Sequence, residues 1–271
     1  MARHYGTIGL AAEEVLSRAY DDIAEETAMY PAFYSWIATS IKGSGLPFSA
    51  ALLDIGCGTG RMLEELANTG YRDLAGLDFS AECVAISKGR MPKAKIWQHN
   101  IMDGPIGRPV DAVLMSEVIE HVSDPHIALA NIARSLPEGG YLFLSFPNRL
   151  AFWPLYHLGC LLPLLPDNQR LRHWFRWFTL PYEMWSSQPQ PIGYEVSLQP
   201  IDHAYSVREV RRFLVAAGFR VVGERGFRLW PMLRIAGLEW TMTVTDFAER
   251  TIGRLVPRRF YYRYMFVCRR A

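Results

Sequence analysis

Three glycines at alternate positions, Gly56, Gly58 and Gly60 in "DIGCGTG", follow the apolar run "ALLDI" and precede "RMLEELANTG". A strand that passes into a helix through glycines lets a ligand approach the backbone closely. The first turn of the helix then offers it unpaired N–H donors. Asp78 stands 22 residues after Gly56, where the acid of nucleotide-binding α/β folds accepts hydrogen bonds from ribose hydroxyls. The dinucleotide fingerprint is G-x-G-x-x-G, and its loop faces a pyrophosphate. Here the third glycine comes one residue early, and Asp54 lies two residues before the first. A carboxylate at that place repels a diphosphate and attracts a cation or an amino group. The spacing therefore disfavours an NAD-dependent dehydrogenase.

A second group capable of chemistry is Glu117, Glu120 and His121 in "SEVIEHV". On a helix these three positions share one face. Three readings follow from the residue types. The carboxylates and imidazole could bind a divalent cation that lowers the pKa of a substrate hydroxyl. His121 could be a general base oriented by a carboxylate. The group could also be a helix-start cluster, with the acids favoured by the dipole and His121 satisfied locally.

The elements that position these residues alternate in type. "ALLDIG", "LAGLD", "AKIWQH", "VDAVLMS" and "GGYLFLSF" read as strands. Helices are predicted over "RMLEELANT", from Ser80 to about Gly89, and after Asp124. Strands alternating with helices indicate a doubly wound, mostly parallel α/β sheet with right-handed crossovers. The alternation pauses after Asn148 and resumes with "YSVREVRRFLVAAGF", where Ser206 and Glu209 make a capping box and Gly218 ends the helix. "FRVVGER" and "YMFVCRR" are the last two strands, and residues 1–49 read as one or two helices with a break at Pro31.

In this order, "LLDIGCGTG", "GLDFS", "SEVIEHV" and "LPEGGYLFLSFPN" resemble the class I S-adenosylmethionine-dependent methyltransferases. Within that class the chain resembles the quinone-biosynthesis O-methyltransferase branch. The resemblance implies a seven-stranded Rossmann-like methyltransferase fold with a reversed final hairpin. It also implies S-adenosylmethionine at the carboxyl ends of the strands and S-adenosylhomocysteine as product. By the same resemblance Gly56, Cys57, Gly58 and Gly60 line the methionine portion, with Asp54 near its ammonium. Asp78 holds the ribose, and Phe79 packs on the adenine. Asn100 and Ile101 adjoin the adenine, and Ser116 approaches the methionine end. The triplet Glu117, Glu120 and His121 resembles one that supplies metal ligands in quinone and small-RNA methyltransferases. In the RNA enzymes a later histidine joins it, for which His203 is the candidate.

Composition bounds the partners. The net charge is +2, yet residues 1–150 carry 12 basic and 18 acidic side chains (−6), and residues 151–271 carry 17 and 9 (+8). The second half also holds six of the eight tryptophans. Its aromatic, arginine-rich stretch 171–196 suits a small apolar or aromatic substrate or a peripheral membrane contact. The charge is too dispersed to favour nucleic acid. Cys57, Cys83, Cys160 and Cys268 form no CxxC pair, and no signal segment opens the chain, which together point to the cytoplasm. "LAFWPLYHLGCLLPLLP" is too short and proline-broken to span a membrane.

The expected organisation is one methyltransferase domain over residues 1–271. It comprises a helical N-terminal cap (1–49), a cofactor-binding core (50–148), an inserted lid (149–203) and closing helices with a strand hairpin (204–271). The expected activity is methyl transfer to oxygen of a small or lipophilic acceptor, with His121, Glu117 and Glu120 catalytic. No metal is assigned; a divalent cation would take Glu117, Glu120, His121 and His203. The alternatives are a metal-dependent RNA 2′-O-methyltransferase and a non-catalytic cofactor-binding partner subunit. Oligomeric state is not read.

Overall fold

The computed structural model of the chain describes residues 29–148, 203, 205–227, 251, 257 and 260–271. The expected lid (apart from His203), the first 28 residues of the expected cap and "LWPMLRIAGLEW" lie outside the described residues.

Seven strands form one sheet. They are β1 (Ala51–Ile55), β2 (Asp73–Asp78), β3 (Lys95–Gln98), β4 (Ala112–Ser116), β5 (Tyr141–Pro147), β6 (Phe219–Phe227) and β7 (Arg263–Arg270), in the order β3-β2-β1-β4-β5-β7-β6. β1 pairs in parallel with β2, Ala51 opposite Asp73, and with β4, Leu52 opposite Ala112; β2 pairs in parallel with β3. β7 runs against β5. Arg270 N–H bonds to Gly140 O at one end, and Asn148 N–H bonds to Tyr262 O at the other. The strand order reverses beside β1, so the carboxyl ends of β1, β2 and β4 flank the switch point where such sheets bind ligands. The helices are α1 (Met29–Lys42), α2 (Arg61–Thr69), α3 (Ala81–Arg90), α4 (Pro125–Ser135) and α5 (Val207–Ala216).

The described residues divide into two compact units. One holds 29–116, 127–143 and 269–271. Its strands are continuous apolar runs, as parallel strands covered on both faces must be: Leu52, Leu53, Ile55, Leu77, Val113 and Leu114 are all buried. α1 turns Phe33, Ile37 and Ile41 inward at every fourth residue. A break is expected at Pro31, and the described part of the chain opens with α1 close to it. α1 starts two residues earlier, and Pro31 falls in the first turn, where a helix has no acceptor for the N–H that proline lacks. Gly70 ends α2 in the left-handed region (φ 118°), and Ser80 caps α3 by accepting the Cys83 N–H at 3.2 Å.

The other unit holds 117–126, 144–148, 203, 205–227, 251, 257 and 260–268. Its α5 opens on the expected capping box. The Ser206 hydroxyl accepts the Glu209 N–H, and the Glu209 carboxylate accepts the Ser206 N–H at 2.8 Å. Phe146 stacks on Phe266, and Tyr264 meets the first ring at a tilt and the second edge-on, as its aromatic core. Asn148 joins three parts of this unit. It bridges Tyr205 in parallel, donates its N–H to Tyr262 O at 2.8 Å, and donates its side-chain amide to Tyr261 O at 3.0 Å.

Candidate functional site

The first unit carries the glycine loop. Gly56, Gly58 and Gly60 all have positive φ (69°, 50° and 82°), a path any other residue would follow only under strain. The loop is anchored to the end of β2. The N–H groups of Gly56 and Cys57 both donate to Leu77 O (2.8 and 3.0 Å). The Gly58 N–H donates to Asp78 Oδ2 at 2.9 Å, and the Ser80 N–H to Asp78 Oδ1 at 2.9 Å. Asp78 thus ties the loop after β1 to the turn after β2, and the Phe79 N–H also favours its charged form. A Cβ on Gly58 would meet nothing within 4 Å, whereas one on Gly60 would come within 2.5 Å of Ser87 Oγ. Gly58 therefore borders open space, and Gly60 lets α2 pack close to α3.

Asp54 is the most consequential side chain here. It is 3% exposed, and the charge that acts on it is that of Asp78. Burial, and after it the charge of Asp78, push its pKa up to about 8. Burial also raises that of Asp78, against the N–H donors of Ser80 and Gly58. Two buried acids beside a glycine loop make a place that a cation would stabilise. Those groups fit S-adenosylmethionine: a buried acid that would accept from the ammonium, a second acid that would accept from a ribose hydroxyl, and an exposed ring, Phe79, 71% exposed, beside them. Gln98 fixes the Phe79 carbonyl with a 2.9 Å hydrogen bond.

The remaining expected cofactor residues fall as follows. The Cys57 side chain is turned away from the open side of the loop into the sheet, where its thiol lies 3.9 Å from Ser87 Oγ, so only its backbone lines the loop. Burial drives that thiol far above its ordinary pKa. Asn100 is exposed, and its Oδ1 accepts the Met102 N–H at 3.0 Å. Ile101 is buried, with its carbonyl bound by the Asn131 amide. Ser116 closes β4 and is half-buried.

The second unit carries the carboxylate–histidine group, with a backbone unlike the expected one. Glu117, Glu120 and His121 do not share a helix face. Glu117 is the one non-glycine residue with positive φ (54°) among the described residues, and only a 3₁₀ turn, Ile119–His121, follows it. The physical cause is anchorage. The Glu117 N–H donates to Ser145 O at 3.1 Å. The Ser145 hydroxyl donates to Glu117 Oε1 at 3.0 Å, and the Arg263 guanidinium stands 3.2 Å from Oε2. These contacts offset a left-handed conformation that costs a non-glycine residue about 1–2 kcal/mol.

Glu120 is 3% exposed; its Oε1 lies 3.8 Å from His121 Nε2, and its carbonyl accepts the His203 N–H at 2.8 Å. Glu120, His121 and His203 are thereby brought together, while Glu117 is drawn toward Ser145 and Arg263. No three His, Cys, Asp or Glu side chains among the described residues converge as metal ligands do. Sequence reasoning missed Ser145 and Arg263. The available signals were one hydroxyl inside "YLFLSFP" and one charge opening the last strand.

Comparison with known proteins agrees with this architecture. The family described as "Methyltransferase domain" matches residues 42–224, more than half of the chain. A probable S-adenosylmethionine-dependent methyltransferase of Mycolicibacterium smegmatis is 34% identical over 120 residues, covering 44% of this chain and 45% of that protein. A ubiquinone biosynthesis O-methyltransferase of Glaesserella parasuis is 31% identical over 165 residues, covering 54% of this chain and 66% of that protein. The chain thus spans less than half the length of the first of these relatives. An S-adenosylmethionine-dependent methyltransferase from Clostridium acetobutylicum shares the fold, with a TM-score of 0.57 at 13% identity over 95% of this chain and 98% of that one. On the extent of the family match, the chain belongs to the methyltransferase domain family.

Proposed function

We propose that the protein transfers the methyl group of S-adenosylmethionine to a hydroxyl of a small, lipophilic acceptor. The observation that carries the cofactor half is Asp54, a buried carboxyl that feels the charge of Asp78, which in turn holds the glycine loop. Asp54 would bind the ammonium, Asp78 the ribose, and Phe79 the face of the adenine. S-adenosylmethionine would supply a methyl group on a sulfonium, an electrophile that needs no activation by the protein.

The chain's own part is then to hold that methyl in line with the acceptor oxygen, to exclude water, and to take the proton the oxygen loses. His121 is the proposed proton acceptor. Glu120, buried and 3.8 Å from its ring, is the acid that would stabilise the imidazolium. An oxygen acceptor and its lipophilic character are supported by the ubiquinone biosynthesis O-methyltransferases among the relatives and by the tryptophan-rich second half of the sequence. No helix among the described residues is long and apolar enough to cross a membrane.

The test is calorimetry with S-adenosylhomocysteine, followed by a mass-spectrometric screen of lipophilic phenols and acids for the gain of one methyl group. Binding and a methylated phenol are expected. Failure to bind S-adenosylhomocysteine would overturn the reading. His121→Ala should lower turnover by about a hundredfold, the ordinary worth of a general base, while leaving S-adenosylhomocysteine affinity unchanged.

A further inference from the structure

We propose that Arg263 supplies at the Glu117 turn the positive charge that a divalent cation would supply in a carboxylate–histidine centre. Methyl transfer then runs without metal, and Arg263 is a positioning residue for it. The inference rests on the transfer reading above and concerns how the same residues are held.

The sequence alone allows Glu117, Glu120, His121 and His203 as a ligand set, and a ligand set must aim its lone pairs at a common point. Glu117 does not do so. Oε1 is taken by the Ser145 hydroxyl at 3.0 Å, and Oε2 faces Arg263 Nη1 at 3.2 Å. The guanidinium is built in rather than loosely placed. The Arg263 side chain is 8% exposed, starts the buried run of β7, and lies with its carbon centre 5.6 Å from the Tyr262 ring centroid. A cation placed against Glu117 would have to displace a buried positive charge, and Coulomb repulsion opposes that. His203 is fixed in turn by its backbone N–H to the Glu120 carbonyl, a contact that needs no metal to form.

The pair also explains the local backbone. Glu117 adopts φ 54° directly after β4, and its side chain and N–H are both fastened to residues of β5 and β7. The short turn that follows carries Glu120 and His121. Arg263 therefore acts on chemistry through Glu117 and the short turn that follows it. Removal of the guanidinium leaves a carboxylate in a largely buried place without its charge partner, the costly half of breaking an ion pair. Removal of both partners relieves that cost.

The experiment uses the full chain as purified. Manganese titration of the wild type, followed by electron paramagnetic resonance, should show no tight site, and excess chelator should leave turnover unchanged. Arg263→Met should lower kcat by about tenfold or more, with S-adenosylhomocysteine affinity kept within about twofold, and Arg263→Lys should recover most of the loss. The Arg263→Met/Glu117→Gln double variant should lose less, in both kcat and melting temperature, than Arg263→Met alone. If Arg263→Met does not fold, Arg263→Lys and Glu117→Gln carry the comparison: the lysine variant stays close to wild type, and the glutamine variant loses kcat at unchanged S-adenosylhomocysteine affinity. Loss of turnover in chelator that manganese restores, or an Arg263→Met enzyme with wild-type kcat, would overturn the proposal alone. A wild type that fails to bind S-adenosylhomocysteine would overturn the methyl-transfer reading and this proposal with it.

Discussion

Asp54 is a buried carboxylic acid, and its surroundings determine when it ionises. Burial is the larger influence and the Asp78 charge the smaller, and both favour the protonated form up to about pH 8. A bound ammonium reverses this balance, because an opposite charge within a few ångströms favours the carboxylate. Binding of S-adenosylhomocysteine at neutral pH should therefore release about one proton per molecule from this site. The release is measured by calorimetry in two buffers of equal pH and different ionisation enthalpy; an observed heat independent of the buffer would contradict it. Affinity should rise with pH until about 8 and then level off. Asp54→Asn, which keeps the shape and cannot ionise, should weaken binding by about tenfold or more and abolish the proton release.

At the scale of elements, the glycine loop depends on what lies under it. Cys57 tucks its thiol beside β2 because Gly76 has no side chain. A Cβ there would come within 2.8 Å of Cys57 Sγ and 2.9 Å of Leu63 Cδ1. Gly76→Ala should lift the loop, destabilise the fold by about 1–3 kcal/mol in urea unfolding, and weaken S-adenosylhomocysteine binding. Gly76→Ala/Cys57→Ala should recover part of both losses, since the nearest contact is removed. Additive losses would show that the two residues do not share the space.

This packing illustrates which elements the sequence could disclose. β1, β2, α2 and α3 were legible because their signals are local: apolar runs, glycines at a strand end, a serine cap, an acid at fixed spacing. The Ser206–Glu209 capping box was legible for the same reason. The turn after β4 was not. Helical spacing of Glu117, Glu120 and His121 predicts one face, but the left-handed Glu117 is imposed by Ser145 and Arg263, distant in sequence, and periodicity carries no trace of such contacts. Asn148 has the same character: its role comes from residues 205, 261 and 262, and a lone asparagine after a strand announces none of them.

At the scale of the whole molecule, the charge that makes the cofactor site attractive to a cation should cost the empty protein stability. Asp54 ionises near its ordinary pKa of 3.8 when unfolded and near 8 when folded. Between these values the folded chain holds a proton that the unfolded chain has lost. The contribution of this group to stability is therefore greatest below about pH 4 and declines as pH rises toward 8. A ligand whose ammonium favours the ionised carboxylate binds more tightly as pH rises toward 8, so its stabilisation, RT ln(1 + [L]/Kd), about 2.7 kcal/mol at a hundredfold excess over Kd, grows with pH at a fixed ligand concentration. The rise in melting temperature on adding S-adenosylhomocysteine should consequently grow between pH 6 and 8, not merely be present at each pH. Differential scanning calorimetry at one fixed concentration of ligand at both pH values measures it. Asp54→Asn should show a thermal shift that is smaller and flat across this range, and its ligand-free form should melt above the wild type at pH 8. An equal thermal shift at pH 6 and 8 in the wild type would mean that the buried acid is not what the ligand's ammonium meets, and the cofactor orientation argued from Asp54 would have to be abandoned.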